Sequence, residues 1–320
     1  MKQYFDFMEW HVDRVRQQPY PGNTFDYMEF PIRWERSRPL IEHLHYIFKA
    51  YIAELKEFGA INENVISDCK EICESILRAM SKAMHYQRGH CVDDVDTIGS
   101  ILQFGKFIRP VPEKDDEGNN KDVTLYRMRG KKNLTAEEEF YHIPFDSLGF
   151  SNTERFSVMG HPCLYLGYSK EGCLAEIACT EGTMAEFSVK KELKVVDLTI
   201  KAITDSNDMF CLWPVLAACY VAVPRPEEKE ATFKEEYVFP QILTSYFMEY
   251  GDNVDGIKFY SCRYPKLDPQ KETYMNLVLY SRMEESGHRN FCNLDRIPKI
   301  VPRYDDKLMG KLKVKKIYNI

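Results

Sequence analysis

The chain has 320 residues, 44% of them hydrophobic and 29% charged, the balance of an ordinary globular protein and more length than one average domain needs. Its 20 Tyr and 19 Phe exclude disorder over most of that length. A formal net charge of −6 and an isoelectric point near 5.8 argue against a large nucleic-acid surface.

The opening MKQYFDFMEWHVDRVRQQ has no uncharged apolar core, so it does not read as a signal peptide. No run approaches the 18 or so apolar residues of a membrane span. Two helices are predicted next. Leu40, Ile41, Leu44, Ile47, Phe48, Tyr51 and Leu55 recur at three- and four-residue steps and stop at Gly59. Val65, Ile66, Cys69, Ile72, Ile76, Leu77 and Met80 repeat the pattern. A shorter helix is expected over DDVDTIGSILQF, giving a small helical bundle over residues 1–110. Residues 111–122, within PVPEKDDEGNNKD, carry the proline, glycine and charge cluster of a linker.

Beyond residue 122 the pattern changes. VTLYRMRG and CLYLGY read as strands, and SKEGCLAEIACT as a short helix capped by Ser169. MAEFSVKK and LKVVDLTI read as two further strands. SNDMFCLWPVLAACYV and EEYVFPQILTSYFMEYG read as helices, the second ending near Gly251. GIKFYS, TYMNLVLYS and KLKVKKIYN complete the set as strands. Strands and helices do not alternate strictly, so the expectation is an α+β fold with a second domain over 123–320.

Common chemical signatures are absent: there is no GxGxxG, GxxxxGK[ST], HExxH or GxSxG. The ten cysteines, at 69, 73, 91, 163, 173, 179, 211, 219, 262 and 292, form no CxxC pair. Several sit in apolar runs as small hydrophobes, which fits free thiols in a reducing cytoplasm. Cys69 and Cys73 share a helix face but lack partners for a metal, so no metal is expected.

One stretch invites chemistry. In RFSVMGHPCLYLGYSKEGCLAE, Arg155 precedes a turn, Tyr165 lies in the strand and Glu176 in the short helix after it. Arginine offers a planar two-pronged donor set for phosphate. Tyrosine offers a flat face for an aromatic or cationic ring. A glutamate can bind sugar hydroxyls or stabilise developing positive charge. Together they suit a nicotinamide dinucleotide used as a substrate. Helical phase places Glu176 away from Leu174, Ile177 and Ala178, so this reading requires the polar side of the helix to line the site.

These residues resemble the RES domain family, named for an Arg, a Glu and a Ser. RFSVMGHPCLYLGYSKEGCLAE aligns Arg155, Tyr165 and Glu176 with the family pattern, VDGIKFYSCR aligns Ser261, and LYRMRG aligns Arg127 with an early strand arginine. The resemblance covers roughly residues 123 to 280. It implies an ADP-ribosyltransferase-like domain that consumes NAD+ by splitting the nicotinamide–ribose bond, with water or inorganic phosphate as acceptor and no other cofactor. By the resemblance, Arg155, Glu176 and Ser261 are catalytic, while Arg127 and Tyr165 bind NAD+. It also implies a toxin-type activity restrained by a cognate antitoxin, and a homo-oligomer. Ser157 stands where the family often has Asn, and Met128 where some relatives have Tyr. The N-terminal helices resemble an HEPN-like domain.

Two other readings compete. Arg78 and His85 lie seven steps apart, about 700° along a helix and so on one face, and they resemble the R-x4-6-H motif of HEPN ribonucleases. Ala79 follows the arginine where that motif usually has a polar residue. A non-catalytic module that senses a dinucleotide or binds a partner is the other alternative.

Overall fold

The computed structural model describes residues 1–17, 28–36, 38–85, 91–158, 160–223, 233–251, 254–264, 271–282 and 303–320. Cys292 lies outside the described residues. The fold is α+β, with helices gathered at the N-terminal end and a curled mixed sheet behind them in sequence. Two compact units divide the chain. One comprises residues 1–107, 198–246 and 262–270; the other comprises 108–197, 247–261 and 271–320.

In the first unit, α2 (Leu40–Phe58) buries Leu40, Leu44, Ile47, Phe48, Tyr51 and Leu55 on one face, as their spacing predicts. It ends where Gly59 adopts the left-handed conformation, φ 69°. Helix α3 (Glu63–Met84) starts at Asn62, whose side chain accepts the Asn64 N–H at 2.8 Å. Helix α4 (Val92–Leu102) matches the third expected helix. The opening segment forms a further helix, α1 (Lys2–Gln17), which buries Tyr4, Phe7 and His11. The His11 ring lies 2.6 Å from the Glu54 carboxylate, with both side chains enclosed.

The helix α6 (Ser206–Cys219) also belongs to this unit, although its sequence position suggested the C-terminal domain. The reason is its surface. Every residue from Met209 to Cys219 is buried, and a helix apolar all round needs walls on every side. The helices α1 to α4 supply them. Trp213 stacks on Tyr51 at 4.1 Å between centroids, and the Tyr51 hydroxyl donates to the Phe210 carbonyl at 2.9 Å. Asp205 caps the helix by accepting the Asn207 and Asp208 N–H groups.

The second unit holds an eight-stranded sheet. Its strands are β2 (Ile108–Val111), β3 (Thr124–Arg129), β4 (Cys163–Gly167), β5 (Thr183–Val189), β6 (Leu193–Asp197), β8 (Gly256–Tyr260), β9 (Met275–Tyr280) and β10 (Leu312–Asn319), in the order β10-β5-β3-β4-β9-β8-β6-β2. All neighbours are antiparallel except β6 and β8. Val111 and Leu312, from the two outermost strands, share one apolar cluster with Leu125, Leu164, Phe187, Val195 and Leu279. Side chains from both edges can meet only if the sheet curls over its own core.

The stretch expected as a linker is part of this unit. Val111 pairs with Leu193, and Lys114 bridges Asn120 across a turn in which Asp115 accepts the Glu117 and Asn119 N–H groups. Glu113 accepts from Lys258 at 3.2 Å, and Lys258 also pairs with Asp197 at 3.0 Å. A buried lysine left alone would be costly, so these carboxylates anchor the turn.

The stacked centre of the first unit yields a direct test. Trp213→Ala should destabilise the protein by about 3–5 kcal/mol, read as a lower urea midpoint in the transition of that unit. A loss below about 1 kcal/mol would mean that α6 is not its centre.

Candidate functional site

The candidate residues depend on α5 (Lys170–Ile177), the helix that follows β4. Ser169 caps it, its hydroxyl accepting the Gly172 N–H at 2.9 Å. Two glycines set how closely it lies on the sheet. A Cβ on Gly172 would fall 2.6 Å from the Thr273 carbonyl oxygen, and one on Gly167 would fall 2.7 Å from the Cys173 sulfur. The Cys173 thiol points at the Tyr126 carbonyl, 3.3 Å away, and burial pushes its pKa up to about 12. It is a packing group rather than a nucleophile.

Glu176 is half-buried near the end of this helix, and its Oε1 accepts from the Asn276 side-chain amide at 2.7 Å. The helical-phase expectation thus holds in an informative way. Glu176 turns from the apolar cluster formed by Leu174, Ile177, Met128 and Met184, and finds a polar partner on β9 instead.

Tyr165 lies at the middle of β4, opposite Val278. Its hydroxyl accepts the Phe156 N–H at 3.2 Å and also meets the Ser157 side chain. The Ser157 hydroxyl in turn accepts the Glu154 N–H at 3.1 Å. These bonds hold the turn that carries Arg155 against the strand. The Tyr165 ring stands edge-on to Phe259, with centroids 6.5 Å apart, and Phe156 packs on Phe259 at 4.5 Å. Burial raises the Tyr165 pKa well above that of a free phenol, so the hydroxyl stays neutral. Ser261, just past β8 and 1% exposed, donates its backbone N–H to Tyr274 at 2.7 Å.

Pairing joins these positions. Gly167 lies opposite Asn276, and Asn276 opposite Phe259. The turn of Arg155, then Tyr165, Phe259, Asn276 and Glu176 form one connected set across β4, β9 and β8, with Ser261 two residues beyond Phe259.

Arg127 stands differently. On β3 it alternates with Leu125 onto the face opposite Tyr126 and Met128. Tyr126 shares its row with Gly167, so Arg127 does not share a sheet face with Tyr165. However, β3 and β4 meet in register only at Tyr126 and Gly167, and Arg127 is the next residue beyond that meeting point. The Nη1 of Arg127 is sealed from solvent and has no hydrogen-bond partner among the described residues. Burial, then the neighbouring Arg129, hold its pKa well below the usual range for arginine. An arginine does not deprotonate in proteins, so Nη1 is a sealed donor on a charged group with no partner among the described residues.

Sequence reasoning missed Asn276. The signal was present: an amide within the apolar run MNLVLY, all of it buried. Arg78 is held by Glu71 at 2.7 Å, Ser75 at 2.8 Å and Asp94 at 3.0 Å, and the His85 ring bonds the Ser81 carbonyl at 2.7 Å. Cys69 faces Cys211 at 3.8 Å, and the nine described cysteines are free thiols. Among the described residues no group of three or more His, Cys, Asp or Glu side chains could hold a metal ion. No described helix is long and apolar enough to cross a membrane.

The candidate residues Arg155, Glu176 and Ser261 thus sit on a curled mixed sheet with a short helix laid after β4. The RES domain family matches residues 124–298, more than half of the chain, and the protein belongs to that family. Over 330 aligned positions it is 26% identical to a Bacillus subtilis (strain 168) protein named "Putative toxin YopC", covering 90% of this chain and 70% of that one. No solved structure matches.

The histidines predict a pH dependence. His43, His142 and His161 all have pKa values lowered from 6.5, in each case chiefly by burial. In His142, Nδ1 donates to the Ile143 carbonyl and Nε2 accepts the Asp305 N–H at 2.9 Å, which fixes the neutral form. The unfolded chain therefore takes up protons first as pH falls. Stability should be flat above about pH 7.5 and drop as pH falls through 6.5. Urea midpoints at pH 7.5 and 5.5 check this, and His142→Gln should reduce the difference between them.

Proposed function

We propose that the protein is a toxin-type enzyme that consumes NAD+ by cleaving the bond between nicotinamide and ribose. Membership of the RES family and the name of the Bacillus subtilis relative support the toxin class. The observation that carries the chemistry is Arg127, whose Nη1 is shut off from solvent and has no hydrogen-bond partner among the described residues, one residue beyond the meeting point of β3 and β4. A dinucleotide diphosphate would supply the missing charge, and arginine matches its oxygens with two parallel donors.

In this reading Arg155 holds the diphosphate from the turn beside Tyr165, Arg127 reaches it past the end of the β3–β4 pairing although it lies on the other sheet face, and Tyr165 flanks the nicotinamide. The C–N bond breaks, its electron pair going to the ring nitrogen of nicotinamide, which neutralises that cation. Positive charge builds on the ribose carbon, as in glycoside cleavage, and the Glu176 carboxylate stabilises it. Ser261 positions the ribose or the acceptor. Water as acceptor gives ADP-ribose and a proton; inorganic phosphate gives the phosphorylated sugar. The nicotinamide ring is already cationic in NAD+, so the scheme draws on this chain's side chains, NAD+ and the acceptor. A cognate antitoxin would be the partner that restrains the activity.

Incubating the purified protein with NAD+, with and without inorganic phosphate, and following nicotinamide release tests the reading. Release is expected, faster with phosphate if the acceptor is phosphate. Glu176→Ala should lower the rate about 10²–10³-fold, the usual cost of one pre-aligned electrostatic partner. Arg127→Gln should act mainly through KM. Binding of NAD+ by calorimetry without release would replace this reading with a sensing module.

A further inference from the structure

We infer that Asn276 is the positioning residue that aims the Glu176 carboxylate at the reacting ribose. The inference deepens the proposed NAD+ cleavage and rests on it for the identity of the target.

Strand β9 reads Met275, Asn276, Leu277, Val278, Leu279 and Tyr280, and all six residues are buried. Asn276 is 6% exposed and is the one amide among them. A buried amide costs stability unless its groups are bonded, and an apolar residue would serve strand packing better. Its described bond is to Glu176, Nδ2 to Oε1 at 2.7 Å, at the short end of the amide range.

The surroundings give that amide its freedom to reach the helix. Directly opposite on β4 is Gly167, and a Cβ there would meet the Asn276 Oδ1 at 3.6 Å as well as the Cys173 sulfur. On the other side lies Phe259, packed on Phe156 from the Arg155 turn. Asn276 is therefore wedged in a row whose members also fix α5 and the Arg155 turn. A glutamate has three rotatable bonds and near a helix end would sample many directions. Pinning Oε1 fixes the direction in which the carboxylate is presented to the substrate.

The sharp variant is Asn276→Asp, which keeps shape but replaces the donor with an acceptor. Two carboxylates in contact cannot both ionise at ordinary acidity, so the pair retains a proton to higher pH. Expected near neutral pH is a loss in kcat of roughly 10- to 100-fold, the worth of one hydrogen bond to a charged group, with KM for NAD+ nearly unchanged. The acid limb of the kcat/KM profile should move to higher pH. Asn276→Ala should lower kcat without moving that limb, and thermal melts of both variants separate these effects from unfolding. A carbon-13 NMR titration of the Glu176 carboxyl, assigned through Glu176→Gln, reads the contact without turnover. A wild-type profile and kcat in Asn276→Asp would overturn the inference, as would a Glu176 carboxyl signal whose titration the substitution leaves unchanged. If the wild type releases no nicotinamide yet the carboxyl titration moves in Asn276→Asp, the contact stands and the NAD+ reading falls.

Discussion

The close approach of α5 to the sheet is the constraint on which the rest of the site depends. This helix spans residues 170–177, too short for its own backbone bonds to hold it in water. It stays because it is seated. Gly172 lets the helix backbone lie on Thr273, and Gly167 leaves space for the Cys173 sulfur. The Ser169 cap fixes its start, and Ala178, in the left-handed conformation with φ 54°, ends it one residue after Ile177. Glu176 is thus placed by backbone contacts at its helix's first turn, about one turn from the carboxylate itself.

Charge is distributed with equal economy. Lys258 is buried, and burial acts to lower its pKa, but Asp197 and Glu113 outweigh that effect and leave it raised. Arg78 in the helical unit is surrounded by Glu71, Glu74 and Asp94, which leaves its guanidinium committed to carboxylates rather than presented to a phosphodiester. Arg127 breaks this rule. Burial and the like charge of Arg129 both work against its protonated form. A charged group whose Nη1 is sealed with no partner among the described residues carries a cost that binding of an anion would remove.

Much of this was legible in the residues. Helical periodicity located α2 and α3 closely because each has one buried face, and Gly59 and Ser169 marked a stop and a start with their own chemistry. The strands β3, β4, β5 and β10 were legible from their β-branched and aromatic content. Domain membership was not. Helix α6 has no polar face to reveal its surroundings, and its placement beside α1 to α4 is a long-range packing outcome that no local window contains. The segment 111–122 has linker composition, yet Val111 and Glu113 are tied to Leu193 and Lys258, residues far along the chain. At the site, motif spacing found Glu176 and Tyr165. The partner of Glu176 went unnoticed, since one Asn in an apolar strand conforms to no periodic pattern.

Tyr165 shows why a motif residue and its task must be separated. As a sequence letter it is an aromatic platform. In the fold its hydroxyl accepts the Phe156 N–H, and its ring edges onto Phe259, so the same side chain that could flank a nicotinamide also fixes the height of the Arg155 turn above β4. Ser157, where the family often has Asn, takes part in the same arrangement through the Glu154 N–H. Asn and Ser both offer an oxygen that accepts a backbone N–H in a tight turn, so this departure changes the residue and keeps the bond. A change at Tyr165 would therefore alter two things at once, the surface facing a ligand and the geometry of the arginine beside it. Only the phenol-to-phenyl exchange separates them, because it deletes the acceptor for Phe156 and keeps the ring.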